Sequence, residues 1–406
     1  MDASLIAAAA SQIISEVTGD SVQLRSGEVF STQGSVVVRC HLDNARAGSP
    51  SSFIVKKVRE DRFGYDPHSS TPNAAHEFFN DWAAAKFLSG IPNDPPFSPQ
   101  FYGGSREHGF IVLEDLGDGE SPTTYEALHG ADPEMAEKTL IEHVSLIGKL
   151  HASTIGRADE YQQIRNAIGI VPSPKKLFQD PWSDARTSIT TSEIDEAIMT
   201  YRASFNAVGI GTRAGVDEEI EHIAAVVEQD PGSFRAYCKG DQNMADDYIR
   251  YRSKPRLFDF NAGGFRHALL EGIPGRMTWG CLMRLPKTLL PRMERAYQYS
   301  LAQRCPAASD DLSFSRAMVE AGARWNILHV IHRLPEALIS DRRRGPTTLR
   351  QQVMACLEAF ADLSEEYKEM RALGHSARDM VTRLETRWTN DFVSLPYYPV
   401  FRERLV

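Results

Sequence analysis

Cysteine is scarce in this chain. Its 406 residues hold five, Cys40, Cys238, Cys281, Cys305 and Cys356, with no Cys-x-x-Cys pair. That odd, scattered set argues against a disulfide framework or a zinc site and fits a reducing, cytoplasmic setting. An excess of basic charge is also lacking. The net charge of -9 argues against a nucleic-acid partner and is compatible with a cationic small substrate. No run approaches the ~18 apolar residues of a membrane span, so no membrane partner is expected. The opening MDASLIAAAASQIISEV carries Asp2 and no basic leader, which favours an amphipathic helix over a signal peptide. Three signatures are missing as well: the Gly-x-x-x-x-Gly-Lys-Ser/Thr phosphate loop, the Gly-x-Ser-x-Gly elbow and His-Glu-x-x-His. No internal repeat is visible.

What remains is ordinary for a globular protein, with 42% hydrophobic and 24% charged residues. At roughly 150 residues per domain, the length predicts about two or three domains or lobes. Residues 3–17 read as a helix, followed by strands at 21–31, 34–42 and 51–58. Residues 73–90 read as a helix with an Asn start and a Gly stop, and 108–119 as a buried strand ending in a glycine-rich link. Beyond it, 135–153 has Leu140, Val144, Ile147 and Leu150 at helical spacing. Helices are predicted at 192–207 and 216–229, a β-like segment at 235–260, and several helices over 284–395. The class is therefore α+β, with a small strand-rich lobe over 1–116 and a larger, mostly helical lobe over 117–406.

Two aspartates draw attention. Asp241 follows Gly240 in KGDQNMADD, and Asp259 ends the apolar run PRLFDF. A hairpin between them would return both carboxylates to one cleft. Such a pair can act as a base and a magnesium ligand, or as the acid and base of a glycoside hydrolase. On their own, the two dipeptides suit turns and caps better. Upstream, Lys56 alternates with Ile54 and Val58 on one strand face, and Asp81 lies one turn beyond Glu77 on the next helix. A strand lysine held by a helix acid is the device that positions nucleotide phosphates in protein kinases.

The order of these pieces resembles the aminoglycoside-phosphotransferase and choline-kinase-like family. The segments that carry the likeness are FIVKKV (53–58), FFNDWAAAKFL (78–88), FIVLEDLG (110–117), LIGKLHAS (146–153), GDQNMADD (240–247) and LFDFNAGG (257–264). They lie within residues 34 to 272, and the residues after 284 match nothing in the pattern. The resemblance implies a two-lobed protein-kinase-like fold and transfer of phosphate from ATP, with Mg2+, to the hydroxyl of a small-molecule acceptor. It implies that Lys56, rather than Lys57, holds the α- and β-phosphates and pairs with Asp81. Glu114, Asp115 and Leu116 would offer backbone groups to the adenine. Asp241 would take or orient the acceptor's proton, and Asp259 would bind magnesium. Arg266, His267, Glu271 and Arg276 fall in the region that builds the acceptor pocket.

The chain departs from that pattern at four places. Lys239 stands where the family usually has His, and Asp246 stands where a second metal ligand is usually Asn. Asp81 replaces the usual Glu, and Asn261 replaces an acid two residues after Asp259. Asp246 can still ligate magnesium, and Lys239 can neutralise phosphate or pair with Asp241. These departures make a pseudokinase or ligand-binding protein of the same fold the alternative expectation.

Overall fold

The computed structural model describes residues 3–31, 34–43, 50–59, 64–71, 73–120, 122–171, 176–179, 184–240, 248–272, 274–277, 283–388 and 394–402. In chain order the first elements are α1 (Ala3–Thr18), β1 (Leu24–Ser31), β2 (Ser35–Leu42), β3 (Ser52–Val58), α2 (Ala74–Ser89), β4 (Phe101–Ser105) and β5 (Phe110–Glu114). Then follow α3 (Pro133–Thr154), α4 (Ala158–Ile168), β6 (Arg235–Cys238), β7 (Tyr248–Tyr251), β8 (Lys254–Leu257) and β9 (Gly264–His267). After these come the short α5 (Leu269–Gly272), α6 (Leu290–Leu301) and α7 (Asp311–Leu328). The chain is α+β, as its sequence predicts: an antiparallel sheet of five strands, then a largely helical remainder.

Two compact units form. The first takes Met1–Thr123, Arg157–Ser173 and Asp247–Gly263; the second takes Thr124–Gly156, Pro174–Asp246 and Gly264–Val406.

In the first unit the sheet order is β1-β2-β3-β5-β4, with every pairing antiparallel. Alternation along β3 decides the faces. Phe53 and Val55 join Val38, Cys40, Phe110 and Val112 under Ile6, Ala7, Ala10 and Ile14 of α1, and form the unit's core. Ile54 and Lys56 therefore point to the opposite face. Lys57 lies on the core side and reaches the edge, where its Nζ donates to the carbonyl of His108 at 3.0 Å. On the opposite face, α2 starts at an Asn73 capping box, with the Asn73 side chain accepting from Ala75 and the His76 ring accepting from the Asn73 N–H. It ends at Gly90.

Two distant segments complete this unit. Helix α4 packs on α2, where Arg165 Nε donates to Asn80 Oδ1 at 2.7 Å and its guanidinium stacks over Phe79. The sequence analysis places no helix at α4, whose buried face carries Arg165 between Tyr161 and Ile168. The β7–β8 hairpin turns through Arg252 and Ser253, both at positive φ (52° and 60°), the twist that a two-residue hairpin prefers. The Ser253 N–H donates to Glu120, and the Leu257 N–H to the Phe97 carbonyl at 2.8 Å. These bonds set where the chain after β8 must go.

The second unit is organised around α3. Its cap is Asp132, whose side chain accepts from Glu134 and Met135, with Pro133 at the first helical position. Leu140, Val144, Ile147 and Leu150 are buried, as their spacing predicts. Gly148 lets α6 come close: a Cβ there would stand 2.7 Å from the Tyr297 carbonyl oxygen. Strands β6 and β9 form a two-stranded ribbon, and Tyr237 N–H donates to Thr154 Oγ1 at the end of α3. Further helices, Leu349–Tyr367 and Arg371–Arg387, complete the unit.

Candidate active site

The face of the sheet left open by α1 forms a cavity of about 370 Å³ within the first unit. That size suits a small ligand. Ile54, Leu113 and Leu116 give it apolar walls, and Lys56, Asp81 and Asp259 give it charge.

The three charged groups meet. Lys56 Nζ lies 2.7 Å from Asp81 Oδ2 and 2.7 Å from Asp259 Oδ1. Asp81 is nearly buried, with 7% of its side chain exposed, whereas Asp259 keeps 44%. Burial alone would lower the Lys56 pKa, but the two carboxylates outweigh it and hold the ammonium above the ordinary lysine value. Lys56 is therefore a permanent cation. A strand fixes its stem, a helix supplies one partner and a turn supplies the other.

That turn is unusual. Asp259 sits at φ 61°, in the left-handed region, just beyond β8. Aspartate tolerates this conformation better than most side chains. The next residues are tied to α2: Phe260 N–H donates to Asp81 Oδ1 at 3.0 Å, and Asn80 Nδ2 donates to the Asn261 carbonyl at 3.3 Å. Asp81 thus uses one oxygen for Lys56 and the other for the backbone beside Asp259.

The link after β5 is also braced. Asp115 Oδ2 accepts from Ser52 Oγ at 2.7 Å and pairs with Arg39 Nε at 2.9 Å, while its Oδ1 accepts from Gly117. Arg39 also reaches Asp118 at 2.9 Å and stacks over Phe30. Arg39 carries no signal in the sequence, because a lone arginine in a strand has no motif. Glu114 closes β5, its N–H donating to the Gln100 carbonyl, and Leu116 is buried against the cavity.

Other nominated residues lie in the second unit. Lys239 is 2% exposed, and its backbone N–H donates to Glu271 Oε2 at 3.0 Å. Its ammonium acts on His143: burial pushes that imidazole down to about 4, and the lysine charge pushes the same way. Asp241 and Asp246 lie outside the described residues, so the paired-carboxylate readings with Asp259 have no geometry to report. Arg266, His267 and Glu271 are buried, and Arg276 is clasped by Glu294 and Glu366.

Among the described residues, His151, Cys238 and Glu271 place metal-capable atoms within 4.8 Å of one another. A nitrogen, sulfur and oxygen set is foreign to magnesium, which prefers oxygen alone. Burial holds the Cys238 thiol well above its ordinary pKa, so it stays protonated, and both His151 nitrogens already have hydrogen-bond partners. The cluster is a hydrogen-bonded core, not a metal centre. No described helix is long and apolar enough to cross a membrane.

The sequence matches no protein-family model and no curated protein. Solved structures do show likeness. A choline/ethanolamine kinase family protein from Mesorhizobium loti is 13% identical over 92% of this chain and 99% of its own, with a TM-score of 0.41. The streptomycin–ATP–APH(2'')-IIa ternary complex is 12% identical over 84% and 96%, at 0.41. LicA in complex with AMP is 10% identical over 88% and 99%, at 0.42. Across most of its length, this chain is thus similar to solved structures of choline/ethanolamine kinases and aminoglycoside phosphotransferases.

Proposed function

We propose that this chain transfers the γ-phosphate of ATP, with Mg2+, to a hydroxyl of a small-molecule acceptor. One observation carries the reading: Lys56 is bonded to both Asp81 and Asp259 inside an apolar-walled pocket. The donor set fits a magnesium nucleotide. A purine finds apolar walls at Ile54, Leu113 and Leu116, and phosphates find a permanent cation at Lys56. Asp259 offers hard carboxylate oxygens with part of their surface open. When bound, magnesium would neutralise charge on the transferring phosphate.

The chain's own residues would divide the work. Lys56 would hold the α- and β-phosphates, positioned by Asp81. Glu114, Asp115 and Leu116 would meet the base through their backbone. Asp259 and Asp246 would hold the metal, and Asp241 would take or orient the acceptor's proton. Lys239 would neutralise phosphate charge or pair with Asp241. Residues 1–116 would serve as the nucleotide-binding lobe and 117–406 as the lobe bearing the catalytic loop and acceptor pocket.

The test is ATP consumption with a panel of hydroxyl-bearing metabolites, comparing wild type with Asp241→Ala. Loss of a general base predicts a fall of about 10²–10⁴-fold in turnover. Turnover untouched by that substitution would remove the assigned mechanism.

A second reading is nucleotide binding without turnover. It is favoured by Lys239, Asp246 and Asn261, which stand where the family pattern has other residues. Stabilisation by MgATP with no turnover on any acceptor would favour this reading.

A further inference from the structure

The cavity of the first unit has a second cation, to which the proposed phosphate chemistry gives no role. Arg39 of β2 lines it, with 14% of its side chain exposed. The sheet register gives its place. Arg39 pairs with Ile54 of β3, and Ile54 pairs with Leu113 of β5, so the three stand in one row across strands about 4.8 Å apart. Ile54 and Leu113 are apolar walls of the cavity. Val37 and Lys56 pair in the next row on the same face. A guanidinium therefore ends the row that would face a purine, one row from the lysine that would face the phosphates.

Its nitrogens are committed to the link after β5. Nε lies 2.9 Å from Asp115 Oδ2, and Nη2 donates to Asp118 Oδ1 at 2.9 Å. The two aspartates are unequal partners. Asp115 has 6% of its side chain exposed and also accepts from Ser52 Oγ and the Gly117 N–H. Asp118 has 87% exposed, where an ion pair contributes little. The Asp115 arm therefore carries the hold.

The link needs that hold. Strand β5 ends at Glu114, so the following residues leave the ladder of the sheet. Gly117 and Gly119 then take left-handed φ of 67° and 79°, and the chain turns twice around Asp118. A Cβ on Gly119 would stand 2.4 Å from Ile249 Cγ1, so β7 packs directly on the link. Arg39 and Ser52 grip it from the sheet, and Ile249 closes on it from the hairpin.

We propose that Arg39 is a positioning residue that sets nucleotide specificity. It holds Asp115, and through it the backbone of residues 114–116, in the place from which a base is read. The role rests on the phosphotransfer reading only for the identity of the ligand, an adenine nucleotide. Without Arg39 the site keeps its grip on phosphate and loses its grip on the base.

Calorimetry tests this with two probes, MgATP and inorganic tripolyphosphate with Mg2+, which has the phosphates without base or sugar. The proteins are wild type, Arg39→Met, Arg39→Lys and Asp118→Asn. Arg39→Met is expected to weaken MgATP about tenfold, because the link is no longer pre-ordered, and to leave tripolyphosphate within about twofold. Arg39→Lys keeps the charge without the two-armed reach and is expected to weaken MgATP about threefold, with tripolyphosphate again unchanged. If the methionine variant does not fold, the lysine variant decides. Asp118→Asn should leave both probes within about twofold. Equal losses for the two probes, unchanged MgATP affinity, or a larger loss in Asp118→Asn than in the Arg39 variants overturns the proposal. A selective loss of MgATP in a protein that transfers phosphate to no acceptor keeps the positioning role and removes the phosphotransfer reading. Transfer by wild type with no selective loss in the variants removes the positioning role alone.

Discussion

Asp81 and Phe260 are joined by a 3.0 Å hydrogen bond from the Phe260 N–H to Asp81 Oδ1. The residues are far apart in sequence, yet this contact sets the geometry of the pocket. The other Asp81 oxygen holds Lys56, and the residue before Phe260 is Asp259, which holds Lys56 as well. One helix carboxylate therefore registers a strand lysine against a turn aspartate. Lys56 on the strand and Asp259 in the turn are 203 residues apart in the sequence, and α2 is the jig between them.

Substitution of that carboxylate should separate charge from shape. Asp81→Asn keeps an oxygen for Phe260 but removes the charge facing Lys56. The expected loss of stability is about 1–2 kcal/mol, and for Asp81→Ala about 2–4 kcal/mol, because Ala also leaves the Phe260 N–H without its acceptor. Urea unfolding measures both. Equal losses for the two variants would mean that the hydrogen bond to Phe260 contributes nothing.

Lys56→Met tests the cation itself. The methionine stem fills similar space, while Asp81 and Asp259 lose their shared counter-charge. MgATP affinity measured by calorimetry should weaken by about ten- to a hundredfold. Lys57→Met should leave it within about twofold, because that side chain faces the core edge and not the pocket. A larger effect at Lys57 than at Lys56 would reverse the face assignment.

Much of this was legible in the sequence, and the reasons are local. Alternation in FIVKKV put Lys56 and Lys57 on opposite faces, and Asn73 and Gly90 bracketed α2 within a residue. The residues that went unread owe their positions to tertiary partners. Strand β4 is FYGGS, with two glycines and Gly103 at φ 156°, so it shows no strand pattern apart from its pairing with β5. Arg39 acquires meaning only beside Asp115 and Asp118. Glu271 is placed near the acceptor region by resemblance alone, and chain proximity does not reveal which way a side chain faces. Its burial against His151 decides that.

The α3–α6 crossing should be intolerant of a single methyl group. A Cβ on Gly148 would meet the Tyr297 carbonyl oxygen at 2.7 Å and Ser300 Cβ at 2.8 Å. Backbone cannot swing aside as a side-chain tip can, so Gly148→Ala should cost about 1–3 kcal/mol by forcing the helices apart. Thermal unfolding measures the loss. A neutral Gly148→Ala would show that the helices slide freely and that the crossing distance is not fixed.

Acid should weaken the fold well above the carboxylate range, through buried histidines. Burial holds His143 down to about 4 and His267 down to about 3, with Lys239 adding to the first shift and His151 to the second. Both values lie below the unfolded value of about 6.5, so the unfolded chain binds more protons as pH falls. Their contribution is present above about pH 6.5 and is lost as pH falls towards the folded values, at about 1.4 kcal/mol per pH unit for each group. Glu193, held down to about 2 chiefly by the Thr190 N–H and by Arg186, loses its contribution only below the ordinary carboxylate pKa, so it acts at lower pH. Urea unfolding at several pH values between about 5 and 6.5 therefore isolates the histidines. His143→Leu should flatten the slope by one proton. Lys239→Met should instead keep the slope's proton count but shift its low-pH end upward, because His143 loses the neighbouring cation. An unchanged slope in His143→Leu would show that this imidazole already takes up its proton in the folded chain.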